Sequence, residues 1–199
     1  RKFNDLRGFF ILLVLIGFGD LAYIMDSEKN LDIQWIPYLE SVNLFVSGAI
    51  DATLAMSYNE FLKIRVAGHE DKPVIRFSET EYDYPEDGVY VTTDFYQRHP
   101  DKVKAFAEAS RKGWEWAHEH PEETLDIVMK WAERENVHTN RIHQQWMLEQ
   151  ILEIQCKDGE KKPSFQLDAA KFDRLNELLL RYHRIHNPVD MEKLKGGRP

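Results

Sequence analysis

One cysteine, Cys156, stands among the 199 residues, so the chain can form no intrachain disulfide and no multi-cysteine zinc or iron–sulfur site. That scarcity leaves the compartment open, because larger exported proteins often fold without disulfides. Positive charge is in deficit: 26 Lys and Arg face 34 Asp and Glu, giving a formal net charge of −8. A nucleic-acid footprint is thereby disfavoured, and so is simple electrostatic adhesion to anionic lipid. Long apolar runs are scarce as well. The run FFILLVLIGF, Phe9 to Phe18, is shorter than the about 20 apolar residues a membrane-spanning helix needs. Its flanking Arg1, Lys2 and Arg7 suggest a signal peptide, yet no A-x-A-like cleavage site precedes Gly19-Asp20. A buried parallel strand, opened by Gly8 and closed by Gly17 and Gly19, fits the run better. On either reading, residue 1 does not look like a natural start.

What is present is an ordinary globular composition: 43% hydrophobic and 30% charged residues can bury one sizeable core. The first half alternates between element types. Strands are expected at about 9–16, 33–37 and 50–56, with helical stretches at about 20–28, 40–46 and 60–66. This β-α-β-α-β-α order implies right-handed crossovers and a parallel sheet with flanking helices. A further strand pair is expected at Val74–Phe77 and Val89–Thr92, around a polar loop in which Pro85 and Gly88 mark turns. From Thr93 the pattern becomes helical. Pro100 and Pro121 open helices, Thr139 or Asn140 caps a third, and Asp168 caps a last one. The expected architecture is thus an α/β lobe over residues 1–93, a helical C-terminal segment over 94–190 packed on it, and a disordered tail over 191–199.

In an open parallel sheet, ligands bind outside the carboxyl ends of the strands. Two loops there carry suitable chemistry. Gly17-Phe18-Gly19-Asp20 joins permissive glycines to a helix N-terminus that favours an anion. Ser57-Tyr58-Asn59-Glu60 offers a hydroxyl, an aromatic ring, an amide and a carboxylate in succession. That set suits a small polar ligand with a flat face, since Tyr58 can stack while its neighbours hydrogen-bond. The competing reading makes Ser57 or Asn59 a helix cap only.

The segments GAIDATLAMSYNEF, YPEDGVYVTTDFYQRHPDKVKAFAEASRKGWEWAHEHPEETL and QQWML resemble the second lobe of substrate-binding proteins of ABC importers. The likeness is nearest to the branch for thiamine-pyrimidine precursors, nitrate and alkyl sulfonates. The combination G-x-I-D-A, D-G-x-Y-V and H-P-x-x-V-x-A-F carries it, and Asp5-Leu6-Arg7-Gly8 fits the usual start of that lobe. The resemblance implies a type-2 periplasmic-binding fold with the ligand clamped between two lobes. It carries over as ligand-binding residues Phe18, Gly19, Ser57, Tyr58, Asn59 and Glu60, with Tyr82 and Tyr84 in the loop before Gly88. It implies a small-molecule ligand, ABC permease subunits as partners and a periplasmic or extracellular, membrane-anchored location. Such proteins have a first lobe ahead of the DLRG segment. A chain without it would be a fragment, an excised domain or a divergent half-protein, and would dimerise through its open cleft face. The fungal thiamine-pyrimidine synthases of similar fold carry a cysteine-rich motif just before the position of Val89–Thr92. Here the stretch reads YDYPEDGVYV, which argues against their chemistry.

Other constellations are weaker. His118-Glu119-His120 lacks the HExxH spacing, and His183 with His186 lacks a third ligand. The acids Glu79, Glu81, Asp83, Glu86 and Asp87 read as a solvated loop, and Cys156 as an inert small residue at a helix end. No catalytic residue, metal ligand or cofactor is assigned. The leading expectation is a binding protein without catalysis, for a small heteroaromatic or oxyanionic nutrient. The alternatives are an enzyme of thiamine-pyrimidine precursor metabolism on the same fold and a truncated lobe that only dimerises.

Overall fold

The computed structural model describes residues 10–12, 18–37, 41–84, 88–156 and 163–194. The contacts divide it into two compact units: residues 1–55, 64–86 and 167–199 form the first, and 56–63 with 87–166 the second.

In the first unit, β1 (Phe10–Leu12) is the middle strand between β2 (Gln34–Ile36) and β3 (Ala52–Thr53), both parallel to it. Ile11 pairs with Trp35 on one side and with Ala52 on the other. Parallel neighbours need a crossover rather than a hairpin. Helix α1 (Phe18–Lys29) lies between β1 and β2 in the chain, and α2 (Asn43–Val46) between β2 and β3. The strand expected over 9–16 is described only at 10–12, and Gly17 lies outside the described residues.

The alternation of apolar and polar positions in α1 dictates its burial. Leu21, Ala22, Ile24 and Met25 enter a core completed by Leu31, Ile33, Tyr82, Tyr84 and Leu178. Asn30, at φ 50, turns the chain out of the helix in the left-handed region that Asn tolerates. Asp26 then ties α1 to the β2 segment, accepting from the Ile33 amide at 3.3 Å and the Trp35 indole at 2.8 Å. Gly48, at φ 73, ends α2 while the Ala49 amide bonds back to the Leu44 carbonyl. Leu178 comes from α8 (Ala169–Arg181), whose N-cap Asp168 accepts from the Lys171 amide at 3.0 Å. Beyond it, Asn176 brackets Val189 with two hydrogen bonds of 2.8 and 2.9 Å, and α9 (Met191–Leu194) comes last.

The segment Val74–Phe77 contains no strand. Phe77–Glu79 is a 3-10 turn, and 88–92 is irregular with Val89, Tyr90 and Val91 exposed. The β-branched and aromatic residues there prefer a pleated surface only where neighbours pack on it, and solvent supplies none. Pro85 lies outside the described residues.

Helix α3 (Glu60–Ile64) runs on into a wider turn at Arg65–His69 where Gly68 takes φ 88. The second unit is helical: α4 (Thr93–Arg98), α5 (Pro100–Glu119), α6 (Pro121–Arg134) and α7 (Arg141–Gln155). Pro100 and Pro121 both stand in the first turns of their helices, where a missing N–H costs nothing. Thr92 caps α4 and Asn140 caps α7 through their side chains. Among the described residues of this unit only Ala117 and Leu125 are buried apolar residues, while Phe106, Trp131 and Ile142 are exposed.

Candidate functional site

The turn after β3 is built around Met56. Its carbonyl accepts from the Asn59 and Phe61 amides at 3.1 and 3.2 Å. The Glu60 carboxylate closes the loop from the other side, its Oε2 accepting from the Met56 amide at 3.1 Å. A carboxylate in the first turn of a helix is also favoured by the free N–H groups there. The turn is thus held by its own sequence, and Ser57, Tyr58, Asn59 and Glu60 are all half-buried on it.

The side chain of Asn59 does not cap the helix. Its Nδ2 donates to Glu60 Oε1 at 3.1 Å, and its Oδ1 lies 2.9 Å from Nε2 of His143 on α7. One turn further along α7, the Trp146 indole N–H donates to the Ser57 carbonyl at 3.1 Å. Two side chains of α7 therefore grip the turn, one through a side chain and one through the backbone. Burial is the first cause that lowers the pKa of His143, and the charge of Lys63 lowers it further while Glu60 opposes. A neutral His143 donates from Nε2 to the Asn59 carbonyl oxygen, which turns the Asn59 amide towards Glu60. The chain His143–Asn59–Glu60 is a directed line of hydrogen bonds.

Sequence reading did not single out His143, and met Trp146 only within the QQWML segment of the resemblance. The available signal was their i, i+3 spacing, which puts both on one helix face. Nothing local in the sequence pairs that face with a turn more than eighty residues earlier.

The other candidates belong to the first unit. Gly19 is buried in the opening turn of α1, and Asp20 beside it bonds to Arg184 at 3.3 Å. A carboxylate thus already sits at that helix N-terminus. Phe18 opens the same turn. Tyr82 and Tyr84 come together in the core, 1% and 8% exposed. The Tyr82 hydroxyl donates to Glu28 Oε2 at 2.7 Å, and the Glu28 Oε1 lies 3.5 Å from Arg181. Burial foremost, and then the bond to Glu28, push the Tyr82 phenol pKa up, so it stays a donor. The Tyr84 hydroxyl is buried with no partner among the described residues. Beside this pair, Lys29 bonds Glu81 and Lys171 bonds Asp83, so two acids of the polar loop are ion-paired. The candidates therefore fall into two groups, Ser57–Glu60 in one unit and Phe18, Gly19, Tyr82 and Tyr84 in the other. A shallow recess of about 400 Å³, lined by Met129, Lys130, Ala132, Glu133, Val137 and Thr139, includes none of them.

A family model described as NMT1/THI5 like matches residues 24–124, half of the chain. The chain belongs to the NMT1/THI5-like family. That membership supports a place among the substrate-binding proteins of ABC transporters. No curated protein and no solved structure matches the chain. In this NMT1/THI5-like protein the matched stretch contains the turn Ser57–Glu60 together with Tyr82 and Tyr84. It leaves out Phe18 and Gly19, and also His143 and Trp146 of α7.

Proposed function

We propose that this NMT1/THI5-like protein is the solute-binding component of an ABC importer, on the type-2 periplasmic-binding fold. It captures a small heteroaromatic or oxyanionic nutrient outside the cytoplasmic membrane and delivers it to permease subunits. A thiamine-pyrimidine precursor is the first ligand to test. The observation that carries the reading is the family match spanning the Ser57–Glu60 turn, whose Asn59 side chain and Ser57 carbonyl are bonded to α7. Pre-ordered polar groups of this kind lower the cost of ordering on binding. Tyr58 stacks on the flat face of the ligand, and Ser57, Asn59 and Glu60 supply its polar contacts. No covalent step is required of them.

Thermal unfolding with aminopyrimidine alcohols, nitrate and short alkyl sulfonates tests the reading. At a hundredfold excess over Kd, a true ligand adds about 2.7 kcal/mol of stability. The ligand is recovered unchanged afterwards. A Tyr58→Ala, Asn59→Ala variant loses the shift. Consumption of the ligand would replace this reading with an enzyme, and an unchanged shift in the variant would move the site elsewhere.

A further inference from the structure

The sole cysteine is not isolated. Cys156 follows the last residue of α7, and its Sγ lies 3.9 Å from Nδ1 of His118 in the last turn of α5. The opposite nitrogen of that ring, Nε2, lies 3.0 Å from Oε1 of Gln155. A thiol, an imidazole and a carboxamide are therefore in line, from residues 38 positions apart in sequence. With the Gln155 carbonyl accepting, Nε2 carries the ring proton and Nδ1 presents its lone pair to the sulfur. A nucleophile, a base in reach and a third group orienting the base is the arrangement that activates a weak nucleophile.

The backbone holds the thiol in position. Cys156 is extended at φ −93 and ψ 134, and it bridges to Pro163. The Ser164 amide donates to the Gln155 carbonyl at 2.8 Å, and the Cys156 amide to the Glu153 carbonyl at 3.2 Å. Cys156 is partly exposed, so a small reagent reaches it. Nδ1 of His118 is the nitrogen that faces the thiol, so the proton passes to the ring as the sulfur attacks.

We propose that Cys156, His118 and Gln155 form a reactive-thiol site that takes a small disulfide. The Cys156 sulfur attacks one sulfur of the disulfide while its proton passes to His118 Nδ1. The S–S bond breaks, and the departing thiolate takes that proton from His118. The products are a mixed disulfide at Cys156 and one free small thiol, with no other oxidant or reductant required. The site is independent of the solute-binding reading.

An aromatic disulfide whose released thiol ionises at the assay pH and then absorbs visible light tests this on the full chain, with Cys156→Ser as the blank. Cys156 in the folded protein reacts about tenfold faster than in the same chain unfolded in urea at the same pH. His118→Ala removes the advantage, and added imidazole restores part of it. Gln155→Glu, which keeps an acceptor for Nε2, retains the rate, whereas Gln155→Leu loses it. Equal rates for the folded protein and His118→Ala would overturn the proposal, as would a thiol that reacts only after unfolding. Where His118→Ala does not fold, the folded-against-unfolded ratio and the two Gln155 variants decide.

Discussion

His143 Nε2 and Asn59 Oδ1 lie 2.9 Å apart, and 84 positions of sequence separate the two residues. The bond is one link in a line that passes through Asn59 Nδ2 to Glu60 and from Glu60 to the Met56 amide. Removing its middle leaves both ends short of a partner. Asn59→Ala is expected to lower stability by about 1–2 kcal/mol, since half-buried polar groups lose their partners. Urea unfolding measures it. Asn59→Asp keeps an acceptor for His143 but sets a second negative charge beside Glu60, and is expected to cost at least as much. A variant as stable as the parent would show that the line is not held in solution.

The same histidine gives a pH dependence with a definite sign. Its pKa is lowered in the folded protein from 6.5, by burial first and then by Lys63. Between the folded and unfolded values the unfolded chain binds the extra proton, so stability rises with pH there. The contribution is fully present above about 6.5 and is lost as pH falls towards the folded value. Urea midpoints from pH 7.5 to 5 are expected to fall, with His143→Gln flattening part of the fall. A midpoint slope that His143→Gln leaves unchanged would remove His143 as its source.

Local signals in this chain were legible and long-range ones were not. Pro100, Pro121, Asn140 and Asp168 mark helix starts because their effect is confined to one turn. The polar turn at Ser57–Glu60 was also visible, since its four chemistries are consecutive. The strands suggested by Val74–Phe77 and Val89–Thr92 failed because propensity says nothing about whether a neighbouring strand exists. Tyr82 and Tyr84 stand in an acidic loop and read as accessible, yet their rings complete a core with Leu178 of α8. Cys156 looked inert because His118 meets it only through folding.

Tyr82 and Tyr84 differ by one hydrogen bond, and that difference is measurable. Tyr82 donates to a carboxylate, whereas the Tyr84 hydroxyl has no partner among the described residues. Tyr82→Phe is expected to cost roughly 1.5–3 kcal/mol, as for bonds to charged groups. Tyr84→Phe removes a buried hydroxyl and keeps the ring, so it is expected to be neutral or stabilising. Equal losses in the two variants would mean that Tyr84 has an acceptor in solution. A Tyr84→Phe variant that is stable but shows no ligand-induced thermal shift would instead give that hydroxyl to the ligand.

Leu125 is the most deeply buried apolar residue described in the helical unit, which makes it the most sensitive position there. Leu125 is 2% exposed, and Ala117 is the other buried apolar residue described there. Ile142 on α7 is 79% exposed. Leu125→Ala removes buried methyl groups and leaves a cavity, for an expected loss of about 3 kcal/mol. Ile142→Ala, by contrast, removes surface that already meets water, and is expected to stay within about 0.5 kcal/mol. The cost of Leu125→Ala should also reach the turn, because α7 holds Ser57 and Asn59 through Trp146 and His143. Hydrogen exchange separates the local from the global effect. Faster exchange of the Asn59 and Phe61 amides in Leu125→Ala than in Ile142→Ala is expected. Unchanged exchange at those amides would show that the turn is held by its own Met56–Glu60 bonds, with α7 contributing little.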